Sequence, residues 1–538
     1  MAIALTPMGD PVPASTRHAI SVSLPTWADN VGYMEGDERV IDRMKSGYPR
    51  FVVHLSIRQL ARVCEEKFGL PSEAAMVFPS ARTAGTCSTF LTARNVPSRI
   101  VRYSVAEDAC IFVVFFPTAS SRLAKQFWQH TGLGVTSRFA EHCLTALSIP
   151  SRKQPNEHHV EVDTLDVQAA VDAKETLCRR IAGYLARDKY GRHMDVDVGT
   201  PVVENDVFLY PTGMSAIWSA HQLALAVRGT HKSVCFGFLY TDTLKVLEKW
   251  GPGCHFLGHG LDASIDELDA LLAREQAVDP ARPPVLALFT EFPSNPLLRS
   301  VDLPRLRALA DKYDFLIVID DTIGNFVNVD VLPFTDILVT SLSKLFSGAA
   351  NVTGGSLVLN PARRHYVALK NSLNDTYEDI YFAPDAITME RNSRDFASRV
   401  RAIDATTERI CDFLHAASLR PTSSLKEIFY PKYQTPVHYA RCARPASDFG
   451  GLFTATFKTP GGARAFYDAL GVYKGPSLGT NFTLACPYTI IAHYEELDWA
   501  AEWGVPCELV RVSVGLEPVG QLLSIFSDAL RAADAMRA

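Results

Sequence analysis

Between residues 232 and 340 the chain alternates short apolar runs with helical patterns, and this alternation restricts the fold more than any other feature of the sequence. The runs at 232–238, 284–290, 315–320 and 336–340 are too short for free helices and read as strands covered on both faces of a sheet. Leu303–Tyr313, between two of them, has helical spacing. Strands alternating with helices build a mostly parallel sheet with crossover helices on its faces. The expected class is therefore α/β, and such sheets bind ligands at the carboxyl ends of their strands.

Two of the runs end in residues that carry chemistry. The last one leads into Ser341-Leu342-Ser343-Lys344, which puts a lysine at a strand end beside hydroxyls. A lysine that attacks a carbonyl needs an amine that deprotonates readily, and hydroxyls beside it can bind phosphate, as a pyridoxal-phosphate enzyme requires. An ordinary surface turn has the same pattern. The preceding run ends in Asp320-Asp321-Thr322, where a strand-end carboxylate can keep a pyridine nitrogen protonated. Asp320 is the candidate; the plainer alternative is a helix cap, open equally to Asp321 and Thr322. Upstream, Val207 to Leu209 lead through Thr212-Gly213-Met214 into an amphipathic helix over 216–225. A helix start with free backbone N–H groups suits a phosphate, although many strand–glycine–helix junctions hold none.

Taken in order, these segments resemble the Cys/Met-metabolism family of pyridoxal-phosphate (PLP) enzymes of fold type I, and within it the fungal cystathionine γ-synthase-like branch. Gly213-Met214 is similar to the family's phosphate-binding turn, and Tyr240 to the aromatic that stacks on the cofactor ring. Glu291-Phe292-Pro293-Ser294-Asn295-Pro296 resembles the element whose Asn, here Asn295, reaches the ring hydroxyl. By the same likeness Asp320 falls on the acid at the pyridine nitrogen, Ser341 and Ser343 on the phosphate hydroxyls, and Lys344 on the lysine that bears the cofactor. Ser477-Leu478-Gly479 and Arg511-Val512-Ser513 look like the substrate-carboxylate site, completed by Asn295, since a guanidinium grips a carboxylate through two parallel hydrogen bonds. Gly47-Tyr48-Pro49-Arg50-Phe51 is similar to a Tyr-x-Arg element that a neighbouring subunit lends to the phosphate, without the Asn-Pro-Thr that usually follows. It implies a homodimer or homotetramer with a shared active site. The likeness is dense over roughly the last two-thirds of the chain.

The resemblance implies γ-replacement on an O-acyl-L-homoserine, with cysteine as the default nucleophile and cystathionine as product. Lys344 would take the Cα proton and then a Cβ proton, with Asp320 supporting the ring and Tyr240 aligning it. One departure bears on the nucleophile. Relatives that handle cystathionine's distal amino group often carry a Glu a few residues after Ser-Leu-Gly, and Phe482 falls about there. An aromatic offers an ammonium only a cation–π contact. Another thiol, or a carbon nucleophile such as acetoacetate, is then the alternative and places the enzyme in specialised metabolism. A γ-lyase releasing 2-oxobutyrate is a second alternative, distinguished by how well the site excludes water. The presence of Lys344, Asp320, Asn295 and Arg511 argues against a cofactor-free binding relative.

At 538 residues the chain is long for one core. Its expected parts are an N-terminal extension or assembly region at 1–175, a large PLP-binding domain at 176–395 and a smaller C-terminal α/β domain at 396–538. The last includes a helix over 396–416 and strands at 451–458 and 509–514. Hydrophobic residues at 47% and charged residues at 21% are globular values. A formal charge of -6 without a basic stripe gives no case for nucleic acid or an anionic membrane, and the expected partners are small molecules. No apolar segment of membrane length occurs, and residues 1–7 lack a secretory pattern. The 11 cysteines are scattered without a CxxC pair, which suggests neither a disulfide framework nor a zinc site and fits a reducing cytoplasm. His158-His159 read as a solvated loop instead of a metal-ligand pair, and no metal is expected. Residues 73–84 echo the pattern of 205–217 but lack its Gly-Met pair, so no second cofactor site is expected there.

Overall fold

The structure, a computed structural model, describes residues 6–48, 51–106, 109–148, 166–186 and 200–536. Among them the strands form three sheets. The first is antiparallel, with strands β1 (Glu73–Phe78), β2 (Arg99–Ala106) and β3 (Ala109–Pro117) in the order β1-β3-β2. The second contains β4 (Val207–Tyr210), β5 (Ser233–Phe236), β6 (Cys254–Leu257), β7 (Ala287–Glu291), β8 (Leu316–Asp320), β9 (Ile337–Thr340) and β10 (Gly355–Leu359). Its order is β4-β10-β9-β8-β7-β5-β6, parallel from β9 to β6, with β10 antiparallel to both neighbours. The third contains β11 (Leu425–Phe429), β12 (Leu452–Phe457), β13 (Tyr473–Lys474), β14 (Leu484–Cys486) and β15 (Leu509–Ser513), ordered β11-β12-β15-β14-β13.

The expected strands at 232–238, 284–290, 315–320 and 336–340 are β5, β7, β8 and β9, and those at 451–458 and 509–514 are β12 and β15. In β8, Leu316, Ile317, Val318 and Ile319 are all essentially inaccessible, each contributing about 1.5–3 kcal/mol through burial. The crossover helix Leu303–Tyr313 turns Leu303, Leu306, Leu309, Ala310 and Tyr313 inward at helical spacing. The Asp302 side chain caps it by accepting from the Arg305 N–H, and it stops at Asp314 in a left-handed conformation. The helix expected over 396–416 is Phe396–Ser418.

One boundary differs from the sequence-based expectation. The helix Val167–Ala186 runs across residue 175 and buries Leu177, Ile181 and Leu185 in one cluster with Val207 and Leu209 of β4, so it packs with the large sheet. The echo at 73–84 is also real at the level of structure: β1 leads to a Ser80-capped helix Ala81–Thr92, as β4 leads to a Thr212-capped helix Gly213–Arg228. At the first of these the Ser80 hydroxyl donates to Glu378, which places a carboxylate at that helix start. His158 and His159 lie outside the described residues.

The N-terminal segment is a strap over the rest of the chain. The Ile20 N–H donates to the Ala350 carbonyl at 2.9 Å, the Leu24 N–H to that of Lys474 at 3.1 Å, and the Trp27 N–H to the Asp468 carboxylate at 2.7 Å. The first sheet docks on the large one through aromatic contacts, with the Phe90 and Trp250 rings stacked at 4.8 Å and those of Phe139 and Phe382 at 4.7 Å. No helix among the described residues is long and apolar enough to cross a membrane.

Candidate active site

One cleft collects Tyr48, Gly213, Met214, Tyr240, Asn295, Asp320, Ser341, Ser343, Lys344 and Arg511. It opens at the carboxyl ends of the parallel strands, because Tyr240 follows β5, Glu291 ends β7, Asp320 ends β8 and Ser341 follows β9. The helix Gly213–Arg228 presents its N-terminus to the same space. Thr212 caps it by accepting from the Ser215 N–H at 3.0 Å, which leaves the amides of Gly213 and Met214 at the open end. A Cβ on Gly213 would lie 2.7 Å from the Ser341 Cβ, so only glycine lets this helix start approach the lysine segment.

Lys344 is buried at 7% exposure. Its Nζ lies 3.1 Å from the Tyr48 hydroxyl and 3.2 Å from that of Ser477. Burial lowers its proton affinity, against an opposing pull from Tyr48. An Arg399 clamp fixes the lysine's position. From the helix Phe396–Ser418 this guanidinium donates to the carbonyls of Leu345 and Phe346 and to the Asn481 side chain, at 2.9–3.1 Å. Gly348 makes room for the clamp, since a Cβ there would lie 2.1 Å from Asn481 Oδ1 and 2.2 Å from Arg399 Nη1. Its φ of +70° also favours glycine.

Asp320 accepts from the Thr322 N–H at 2.9 Å; burial raises its carboxyl above the usual range, and the Thr322 hydrogen bonds hold it back. Beside it is Glu291, which the sequence reading passed over. Its two oxygens accept from the backbone N–H groups of Tyr240 at 2.6 Å and Asn295 at 2.8 Å, so one carboxylate ties two loops of the cleft together. Burial first, and then the charge of Asp320, push its carboxyl up to about 8. Its signal was its place at the carboxyl end of an apolar run.

Arg511, on β15, donates to the Asn295 side-chain oxygen and to the Ser477 carbonyl, each at 3.0 Å, and its guanidinium lies over the Tyr488 ring at 4.8 Å. Its Nη2 is also 3.5 Å from the buried sulfur of Cys486. Asn295 therefore meets the arginine directly.

Two residues stand differently from their expected setting. Tyr48, expected to be lent by a neighbouring subunit, lies 3.1 Å from Lys344 Nζ within its own chain; Arg50 lies outside the described residues. Phe482, expected at the position of an acid facing the substrate, packs its ring on Tyr473 at 5.1 Å, while Cys486 lines the cleft instead.

The donor set fits pyridoxal phosphate: a buried lysine of lowered basicity, a carboxylate at a strand end, and a helix start that opens on the same cleft as Ser341 and Ser343. Sequence comparison agrees. Residues 203–531 match the family described as "Cys/Met metabolism PLP-dependent enzyme", and residues 56–136 match "Fungal trans-sulfuration enzyme, N-terminal domain". The chain is 49% identical to the cystathionine gamma-synthase-like enzyme iboG2 of Amanita muscaria, over 98% of this chain and 96% of that one. It is 38% identical to the cystathionine gamma-synthase of Neurospora crassa, over 98% of each. A solved cystathionine gamma synthase from Xanthomonas oryzae pv. oryzae, in complex with aminoacrylate and cysteine, shares the fold with a TM-score of 0.53 at 21% identity, over 72% of this chain and 93% of that one. The protein belongs to the Cys/Met-metabolism family of PLP-dependent enzymes. Within that family it is a cystathionine γ-synthase-like enzyme acting on amino-acid substrates.

Proposed function

We propose that the enzyme catalyses γ-replacement on an O-acyl-L-homoserine. The observation that carries this reading is the pairing of one buried amine, Lys344 Nζ, with the buried guanidinium of Arg511 in the same cleft. Gly213, Met214, Ser341 and Ser343 would hold the phosphate, Tyr240 the ring face and Asp320 the ring nitrogen. Bound there, PLP supplies an electron sink for negative charge developing at the substrate's α-carbon.

Arg511 grips the α-carboxylate, with Asn295 and the Ser477 carbonyl fixing the guanidinium plane. That leaves Cα facing Lys344, whose amine takes the Cα proton and then a Cβ proton from the same side. Tyr48 and Ser477 steer the amine between the two carbons. Asp320 holds a proton at the ring nitrogen, and Glu291 keeps Tyr240 and Asn295 in register. The acyloxy group then leaves Cγ and the acceptor adds at that carbon. Cysteine, giving cystathionine, is the default acceptor of the family; an acetoacetate-like carbon acid is the alternative. Entry of water ahead of the acceptor would make the enzyme a γ-lyase.

The proposal extends to a homodimer or homotetramer in the cytoplasm, with an N-terminal extension, a PLP-binding domain that takes in the helix Val167–Ala186 and runs to residue 395, and residues 396–538 as the small domain. The chemistry is tested by running the reaction with O-acetyl-L-homoserine in D₂O and reading the product by NMR. Deuterium at both Cα and Cβ is expected. Deuterium at Cα alone would rule out γ-replacement.

A further inference from the structure

Apart from Tyr48, one side of the cleft carries no residue assigned above, and the N-terminal region builds most of that side. Tyr48, Phe51, Val52 and Ile57 line it together with Trp128 from the helix Ser121–Thr131 and Ile491 from the C-terminal part. The wall is held in place: the Tyr48 and Phe51 rings meet at 5.8 Å, and Lys125 Nζ donates to the Phe51 carbonyl at 2.8 Å. All six face the cavity that contains Lys344 and Arg511.

The charges around this wall restrict what can enter. Among the described residues the acidic side chains lining the cavity are Glu291, Asp320 and Asp385, and each is committed. Glu291 takes two backbone amides, Asp320 takes the Thr322 N–H, and Asp385 is bound by Arg138 and by the Thr136 hydroxyl. Burial and then Arg138 bring His18 down to about 4, against the pull of Glu141 3.0 Å from its ring, and burial lowers His54. The face of Tyr48 is taken by Lys344 Nζ at 4.3 Å. An ammonium group entering here would lose its water against aromatic and aliphatic side chains and meet no uncommitted carboxylate, a desolvation left without an ion-pair partner.

Building on the γ-replacement reading, we infer that this wall is the acceptor subsite and that it selects an acceptor without an ammonium group, a small thiol or a stabilised carbanion, over a free amino acid. The acceptor loses its S–H or C–H proton and forms the new bond at Cγ. The acyloxy group departs with the bonding pair as a carboxylate, so no oxidant or reductant is needed.

A matched set of thiols isolates the ammonium group: cysteine, 3-mercaptopropionate, which is cysteine without its amine, and ethanethiol. The holoenzyme is assayed with O-acetyl-L-homoserine and each thiol at equal thiolate concentration, and donor consumption without acceptor is recorded separately. The two thiols lacking an ammonium are expected to exceed cysteine in kcat/KM by about tenfold or more; equal or better use of cysteine overturns the inference. Trp128→Leu should raise the KM of the preferred thiol about tenfold and leave the KM for the donor unchanged. An unchanged acceptor KM removes the wall from the subsite. Should the donor not be consumed at all, the γ-replacement reading fails by itself, and the subsite is judged by binding. 3-Mercaptopropionate is then expected to quench, saturably, the part of the protein emission that Trp128→Phe removes, and absence of that quenching overturns the inference.

Discussion

The two ends of the cleft are built differently. At the cofactor end Gly213, Tyr240, Asp320 and Lys344 stand at or just past the carboxyl ends of strands of one sheet, and each lies in a short motif. At the acceptor end Phe51, Val52 and Trp128 come from a strap and a small N-terminal sheet unit, and they meet Ile491 from more than 350 residues along the chain. The first end depends on strand termini that almost any sequence variation elsewhere leaves in place. The second depends on the docking of separate units. The common chemistry is thus kept on the rigid sheet, and selection among acceptors is assigned to a surface free to vary without disturbing it.

Substitutions at the cofactor end should have the larger effects. Lys344→Ala should reduce turnover by about 10⁴-fold or more, the upper end of what one general base contributes, and abolish the borohydride-sensitive absorbance of the bound cofactor. Normal turnover would break the comparison outright. Asp320→Asn should retain the cofactor and lower kcat on the order of 10²-fold, seen as slower exchange of the substrate's α-proton in D₂O. Arg511→Lys should raise the donor's KM by about 10- to 100-fold, because a point charge replaces a two-pronged grip, and leave the ratio of acceptors unchanged.

Smaller effects belong to the supports. Arg399→Met leaves the Leu345 and Phe346 carbonyls without their donor and should cost about 3 kcal/mol of stability by chemical denaturation, with a loss of kcat exceeding any change in KM. Glu291→Gln should act through pH. The Glu291 carboxyl rises from 4.5 to about 8 on folding, so its contribution to stability is present below about 4.5 and is lost as the pH rises through about 8. Thermal unfolding of the apoenzyme across this range should therefore decline less steeply with pH in the variant than in the wild type.

How much of this was legible follows from the same contrast. β5, β7, β8 and β9 were readable because each is a dense apolar run, Lys344 and Asp320 were singled out because each follows or ends one, and Asn295 and Arg511 were singled out through their motifs. β10 was not readable, since Gly355-Ser356 at its start leaves only Leu357, Val358 and Leu359 as an apolar run. Glu291 looked like part of a loop motif until its oxygens were found on two backbone amides. Arg399 was hidden in a helical pattern in which an arginine is unremarkable, and its role appears only when the helix lies beside the lysine segment. Tyr48 was recognised, but its placement within the same chain follows from the strap, and Phe482 packs its ring on Tyr473 while Cys486 of β14 lines the cleft. For Glu291, Arg399 and Tyr48 the missing information was a long-range contact, which no local pattern encodes.

The most direct test of the central claim is mass spectrometry of the products formed from O-acetyl-L-homoserine with cysteine, 3-mercaptopropionate or acetoacetate, and with no acceptor. A four-carbon amino acid bearing the acceptor at Cγ should dominate whenever a suitable acceptor is present. 2-Oxobutyrate as the main product under every condition would contradict γ-replacement.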